Sequence, residues 1–165
     1  MQEPGRRIHA KGGRALRDTA EAMSQQNVEI VRRGFEAVNA RDLDWERYYV
    51  EFFDPEVEYR TSVEDPDAAI HRGRQAYRRY LEQWLESFDG LHIDVEEYID
   101  VGDDRVYTWS RFTGRGRASG VPADWHLAIV FTIRDGKIAR AEEYFDRNEA
   151  LEAAGLSEQD AHADS

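Results

Sequence analysis

The sequence predicts an α+β domain in which three N-terminal helices pack on a curved, mostly antiparallel β-sheet and enclose a cone-shaped pocket. Two observations predict this class. Apolar residues recur every three or four positions in the first half of the chain, as in amphipathic helices, and from Leu91 they alternate with polar residues, as in half-buried strands. A length of 165 residues, of which 41% are hydrophobic, suits a single domain with one core.

The chain divides into three parts. Residues 1–22 are rich in Gly and Arg and have no apolar period, so we expect a disordered or loosely helical leader. Residues 23–156 form the predicted domain, and residues 157–165 form a polar tail. The first helix is expected to begin at Ser24, whose hydroxyl can cap it, and to continue to about Ala40.

Two further helices are predicted before the change of period. The second is capped by Asp42 and ends at Asp54-Pro55, because a proline disfavours helical backbone in the residue before it. The third begins at Gly73 and carries the widest apolar stripe, made of Tyr77, Tyr80, Leu81, Trp84, Leu85 and Phe88. Because Trp84 lies within this stripe, we expect it to be packed core and Trp84→Ala to cost roughly 3 to 5 kcal/mol.

The remaining elements are predicted to be strands, followed by one or two helical turns over 147–154 that Gly155 ends. A short strand over 57–61 is followed by a loop over 62–72, and the longer strands form an antiparallel meander over 91–100, 106–113, 125–133 and 137–146. Asp135-Gly136 joins the last two strands as a tight hairpin. Alternation places Thr108, Ser110 and Phe112 on the concave face of this sheet.

The charge of the chain limits its partners. The net charge is −12, and because residues 1–22 carry +2, the remainder carries −14. Such a surface repels phosphate backbones and anionic lipids, so we expect no nucleic-acid and no membrane partner. The chain has no apolar run approaching the roughly 18 residues of a membrane helix and no apolar stretch at its start. It also has no cysteine, and we predict a cytoplasmic protein.

Several short phrases, in this order and spacing, carry a family resemblance. They are Met23-Ser24-Gln25-Gln26-Asn27-Val28-Glu29, Asn39-Ala40-Arg41-Asp42-Leu43-Asp44, Arg72-Gly73-Arg74, Arg134-Asp135-Gly136-Lys137-Ile138 and Tyr144-Phe145-Asp146-Arg147 followed by Ala150-Leu151. Together with the order of elements, they resemble the SnoaL-like branch of the superfamily that contains ketosteroid isomerase, scytalone dehydratase and polyketide cyclases. The resemblance implies a cone-shaped fold with a pocket for a small molecule.

The resemblance does not carry the isomerase catalytic residues into this chain. The isomerase base is a carboxylate on the first strand, and that position falls here on Arg60 or Thr61. The tyrosine and the protonated aspartate of the isomerase oxyanion hole correspond to Gly34 and Ile129. The isomerase keeps that aspartic acid neutral by burying it in an apolar site, and such an acid must be present to act.

Two residues are predicted as candidates for acid–base catalysis. His71 lies just before the third helix, where its imidazole could face the mouth of the cone and exchange protons near neutral pH. Asp65 could supply a carboxylate at the pocket rim. The simpler interpretations are an exposed loop histidine and a turn-forming acid next to Pro66.

An apolar chamber is predicted where the helices meet the sheet. Its predicted ligand-binding residues are Phe35, Tyr59, Tyr80, Trp84, Thr108, Ser110, Phe112, Ile129 and Phe131. No motif for a metal or a cofactor is present, so we expect neither. Two functions remain open: a cofactor-free isomerase, lyase or cyclase acting on an apolar polyketide-, steroid- or terpenoid-like substrate, and a non-catalytic module for ligand binding or dimerisation.

A homodimer is predicted through the convex face of the sheet. Alternation places Tyr107, Trp109, Ala128 and Val130 on that face, which is more apolar surface than monomers usually expose. A two-fold contact would bring Val130 close to its own copy, so Val130→Glu is expected to separate the subunits.

Overall fold

The computed structural model describes the backbone of residues 5–156 and the side chains of residues 13–156. The elements follow in the order α1 (Gly5–Ala40), α2 (Trp45–Phe52), β1 (Phe53–Arg60), β2 (Ile70–Arg72), α3 (Arg74–Glu86), β3 (Phe88–Gly102), β4 (Arg105–Gly116), β5 (Pro122–Arg134), β6 (Lys137–Tyr144) and α4 (Arg147–Ala153). The predicted α+β class is confirmed, with the short C-terminal helix α4 after the sheet, where helical turns were expected. The predicted polar tail, 157–165, lies outside the described residues.

The strands form one six-stranded sheet in the order β2-β1-β6-β5-β4-β3. The pairs of neighbouring strands are antiparallel except for β1 and β6, which are parallel. The pairing of β3 with β4 shifts register at three places, and that of β5 with β6 shifts between Thr132 and Ile133. Irregularities of this kind bend and twist a strand, which gives the sheet its concave and convex faces.

Helices α1, α2 and α3 pack against the concave face. The apolar stripe of α1 contributes Val31, which is 1% exposed, and the junction of α2 with β1 contributes Phe53, which is 2% exposed. Val57 of β1 is fully buried beside them. The apolar spacing of three to four residues therefore predicts correctly which face of each helix packs on the sheet.

The first helix is much longer than predicted. It does not begin at Ser24 but extends back to Gly5, so the expectation of a start at Ser24 is wrong. No proline interrupts the stretch 5–40, and alanine, arginine and glutamate favour helix even without packing. The side chains of residues 14–23 are exposed, with Leu16 at 74% and Met23 at 50%. A domain boundary at residue 23 stays a prediction.

Despite the 36 residues of α1, no helix in the described part of the chain is both long and apolar enough to span a bilayer. Helix α2 is capped by Asp44 instead of Asp42: the Asp44 carboxylate accepts a hydrogen bond from the backbone N–H of Arg47 at 3.2 Å. The two carboxylates are alike in chemistry, so which one caps depends on where the chain turns after α1.

Helix α3 corrects the expectation for Trp84. The residues that α3 buries fully are Tyr77 and Leu81, whereas Trp84 is half-buried. The helix ends at Glu86, and Phe88, the last residue of the predicted stripe, already belongs to β3. Trp84 therefore lies beside open space instead of in packed core, and the large cost expected for Trp84→Ala loses its basis.

Part of the convex face is covered by the chain itself. Helix α4, capped by Asp146, packs its Ala150 and Leu151 onto Tyr107 and Val130 of the sheet. As a result Val130 is only 5% exposed. The part of the face around Val130 therefore needs no second copy to cover it, and Val130→Glu is expected to destabilise the fold by burying a charge instead of separating subunits.

Candidate functional site

The concave face and the three helices enclose a chamber of about 60 Å³, which adjoins a mouth of about 370 Å³. Tyr80, Trp84, Leu127 and Glu143 line both spaces. Most of the predicted ligand-binding residues line the chamber: Phe35, Tyr59, Tyr80, Trp84, Phe112, Ile129 and Phe131. The helix period and the strand alternation together thus predict which residues surround the cavity, while ligand binding by them stays a prediction.

Thr108 and Ser110 do not line the chamber, so these two predictions are corrected. Strand register places them in the rows of Ile129 and Leu127, on the concave face, but both are fully buried. Helix α1 packs on β3 and on β4, the strand that carries both residues. The Thr108 hydroxyl donates to the backbone oxygen of Ile129 at 3.2 Å, so it is used within the sheet.

Aromatic rings form much of the wall of the chamber and of the mouth. Phe35 of α1 meets Phe131 of β5 edge to face, with ring centroids 5.8 Å apart. Trp84 meets Phe112 in the same way at 5.6 Å, and Phe112 stacks on Trp125 at 5.3 Å. Such pairs are rigid as well as apolar, so the walls keep flat surfaces available to a ligand.

A buried carboxyl group lies between the chamber and the mouth. Glu143 of β6 is 8% exposed, and its strand partner is Ile129 on the concave face. The Tyr59 hydroxyl donates to Glu143 Oε1, and the Tyr80 hydroxyl donates to the same oxygen across 3.4 Å. The backbone of Ser62 provides a further hydrogen bond to this carboxyl group. The polar groups of the chamber are therefore concentrated around one carboxylate.

Burial determines the protonation of this group. Loss of water raises the pKa of Glu143 from 4.5 to about 7, while the hydrogen bonds from Tyr59 and Ser62 lower it and the charge of Asp65 raises it again. Burial also raises the pKa of Tyr59 and that of Tyr80 above the usual tyrosine value, so both phenols keep their protons. Near neutral pH, Glu143 can both accept and release a proton.

Glu143 was missed in the sequence because strict alternation fails in β6. Counting every second residue from Ile138 places Glu142 on the inner face. The structure instead pairs Ile133 with Ile138 and Thr132 with Arg140, so β6 holds one extra residue and the alternation reverses. The feature of the sequence that indicates the reversed alternation is the small residue Ala141, which is fully buried and shares the face of Glu143.

The two predicted catalytic residues lie around the same phenol. Asp65 lines the mouth together with Tyr80 and Glu143. His71 of β2 lines neither space but stacks on the Tyr80 ring, with centroids 4.4 Å apart, and partial burial lowers the pKa of its imidazole. In the described part of the chain, no cluster of three or more His, Cys, Asp or Glu side chains is arranged to hold a metal.

The raised pKa of Glu143 predicts how stability depends on pH. Because the folded chain holds this proton more tightly than the unfolded chain, the stabilisation is complete below pH 4.5 and is lost as the pH rises through about 7. Over this pH range, the free energy of unfolding should lose about 3 kcal/mol from this group. Urea titrations at several pH values should therefore show Glu143→Gln gaining stability over the wild type as the pH rises. Glu142→Gln, which removes a charge from the other face, should show no such gain.

Solved structures with a similar fold support this architecture. Bal32a, from a soil-derived mobile gene cassette, is 26% identical, with a TM-score of 0.66 over 78% of this chain and 95% of Bal32a. A protein from Jannaschia sp. CCS1 assigned as a SnoaL-like polyketide cyclase is 24% identical, with a TM-score of 0.65 over 81% and 94% of the two chains. TerC, co-crystallized with polyporic acid, is 21% identical, with a TM-score of 0.61 over 79% and 98%. No curated protein matches the chain.

The family comparison covers the elements that build the chamber. The family model described as "SnoaL-like domain" matches residues 31–141, from the buried half of α1 into β6. Glu143 lies just beyond the matched segment, and the other polar residues of the chamber lie within it. This match and the shared fold confirm the resemblance found in the sequence. The chain therefore belongs to the SnoaL-like domain family.

Proposed function

We propose that this protein is a cofactor-free acid–base enzyme, an isomerase, lyase or cyclase, that acts on a flat apolar molecule of the polyketide, steroid or terpenoid type. The family and fold support a small-molecule role in general. The observation that carries the finer proposal is Glu143, a carboxyl group buried at the chamber with a pKa raised to about 7 by its burial. A base with a pKa near the working pH is well suited to moving protons to and from carbon.

Glu143 is assigned the proton transfer. Its carboxylate removes a proton from a carbon next to a carbonyl group, and the resulting carboxylic acid returns the proton at another position. The carbonyl oxygen gains negative charge during this step and needs a hydrogen-bond donor. Tyr80 is the available donor, because its bond to Glu143 Oε1 is long, at 3.4 Å, and can be exchanged for one to a substrate. Tyr59 stays on Glu143 and orients it.

The shape of the site supports a flat substrate. The chamber of about 60 Å³ admits only part of a ring system, and the adjoining mouth of about 370 Å³ has room for the rest. Trp84 and Leu127 line both spaces and present apolar surface along the path. A ligand that fills both spaces would pass beside Glu143, which lines each of them.

Hydrogen exchange on a model ketone tests the proposal. β-Tetralone is a flat apolar ketone with acidic hydrogens next to its carbonyl, and NMR in deuterium oxide follows their exchange. We expect the wild-type protein to accelerate exchange, with kcat/KM rising as the pH passes through about 7, where Glu143 loses its proton. Saturable binding of β-tetralone without any acceleration of exchange would contradict catalysis and favour the non-catalytic ligand-binding module.

A homodimer and a cytoplasmic location remain proposals from the sequence. Helix α4 leaves part of the convex face uncovered, where Trp109 stacks on His126 and Arg111 pairs with Asp124 at the surface. We expect a dimer through this remaining patch. Sedimentation equilibrium at tens of micromolar protein measures it, and a single monomeric species would exclude it.

A further inference from the structure

The loop between β1 and β2 lies directly against Glu143. Its two ends are joined by hydrogen bonds: the Thr61 N–H donates to the Ala69 oxygen at 3.1 Å, and the Ala69 N–H donates to the Thr61 hydroxyl at 2.8 Å. Within the loop, Ser62 bonds Glu143 through its backbone, and its own carbonyl accepts the Asp65 N–H at 3.0 Å. The segment 61–69 is thus a closed turn attached to the carboxyl group.

Asp65 is held in a defined place within this turn. One of its oxygens, Oδ1, accepts the Asp67 N–H at 2.8 Å, and its backbone oxygen accepts the Ala68 N–H at 2.9 Å. The side chain is half-buried and lines the mouth beside Tyr80 and Glu143. A carboxylate fixed in this way keeps its charge near Glu143 without being mobile in solvent.

We propose that Asp65 is a positioning residue of the site, whose negative charge across the mouth makes Glu143 the stronger base. This inference rests on the proposed role of Glu143. Asp65 acts on the substrate only through Glu143, which lies deeper and lines the chamber as well as the mouth.

The other groups around Glu143 do not supply a negative charge that would make it a stronger base. Tyr59 of β1 and both Tyr77 and Tyr80 of α3 face the carboxyl group, and burial raises the pKa of each phenol, so they stay neutral. His71 of β2 is stacked behind Tyr80, and partial burial lowers the pKa of its imidazole. Among the described residues, neither the chamber nor the mouth is lined by an arginine or lysine that would oppose Asp65.

Carbon-13 NMR of glutamate carboxyl groups tests the inference directly. The Glu143 signal is identified by its absence in Glu143→Gln, and its titration midpoint is measured in the full chain. In Asp65→Asn, which keeps an oxygen for the Asp67 N–H, the midpoint should fall by about half a pH unit or more. Asp67→Asn removes a charge from the same turn, but Asp67 is exposed and lines neither the chamber nor the mouth. The Glu143 midpoint in this variant should therefore match that of the wild type. Asp65→Ser replaces Asp65→Asn if the latter does not fold.

The exchange reaction distinguishes positioning from catalysis. In Asp65→Asn, the pH profile of kcat/KM for β-tetralone should move to lower pH together with the NMR midpoint, with exchange still measurable. An unchanged Glu143 midpoint in the Asp65 variants overturns the inference. Abolished exchange would overturn it as well, since Asp65 would then be the base itself. If the wild type catalyses no exchange, the NMR titration still decides the effect of Asp65 on Glu143, separately from the proposed function.

Discussion

Replacing Glu143 by glutamine is expected to slow the exchange of β-tetralone by at least about a hundredfold. Glutamine has the shape of glutamate, and its Oε1 can still accept the hydroxyl of Tyr59. It cannot take a proton from carbon, so binding should remain while the chemical step is lost. The expected signature is a large fall in kcat with little change in KM.

Glu142→Gln is the matched control for this experiment. It is the same substitution one residue away, on the opposite face, where Glu142 pairs with Arg140 at 2.9 Å and accepts the Tyr144 hydroxyl at 3.1 Å. Its exchange rate should equal that of the wild type. A Glu143→Gln protein that still exchanges β-tetralone at the wild-type rate would remove Glu143 from the mechanism.

Phe53→Ala is expected to lower the free energy of unfolding by about 3 to 5 kcal/mol. Phe53 is 2% exposed and lies where α2 passes directly into β1. Its ring contacts Tyr77 with centroids 4.9 Å apart, Tyr48 at 5.4 Å and Tyr49 at 5.7 Å. Removing it leaves a hole that three rigid rings cannot close, because each is held by further contacts.

Urea titration of Phe53→Ala beside Phe145→Ala measures this effect. Phe145 is 39% exposed, so the same truncation there should cost less than about 1 kcal/mol. If both variants lose equally little, the aromatic cluster around Phe53 is not the core of the fold.

Local patterns account for most of the fold. The spacing of Tyr77 and Leu81 predicts which face of α3 is buried, and Asp135-Gly136 predicts the hairpin between β5 and β6. Both depend on neighbours within a few residues, so no knowledge of distant contacts is needed. The start of α1 at Gly5 was missed because the stretch before Ser24 forms a helix without burying a face, and apolar periodicity indicates only helices that bury one.

The pocket was predicted less completely than the fold. Phe35 and Ile129 were assigned to the chamber correctly, since each lies on a regular element whose period shows its inner face. Thr108 and Ser110 lie on the predicted concave face, but they are fully buried and do not line the chamber. Whether a residue on this face meets a cavity or a helix depends on where α1 crosses the sheet. Residue type gives no indication of that crossing.

The sequence by itself determined the α+β class, the order of all elements except β2 (which lies in the predicted loop 62–72), the family resemblance and most of the apolar chamber wall, because periodicity and turn chemistry act over a few residues. Only the tertiary structure decided the site. It joins Tyr59, Tyr80 and Glu143 from three separate elements, and it does so through one extra residue in β6 that reverses the alternation. Burial by distant parts of the chain then raises the pKa of that carboxyl group, an effect that depends on three-dimensional surroundings and not on sequence neighbours.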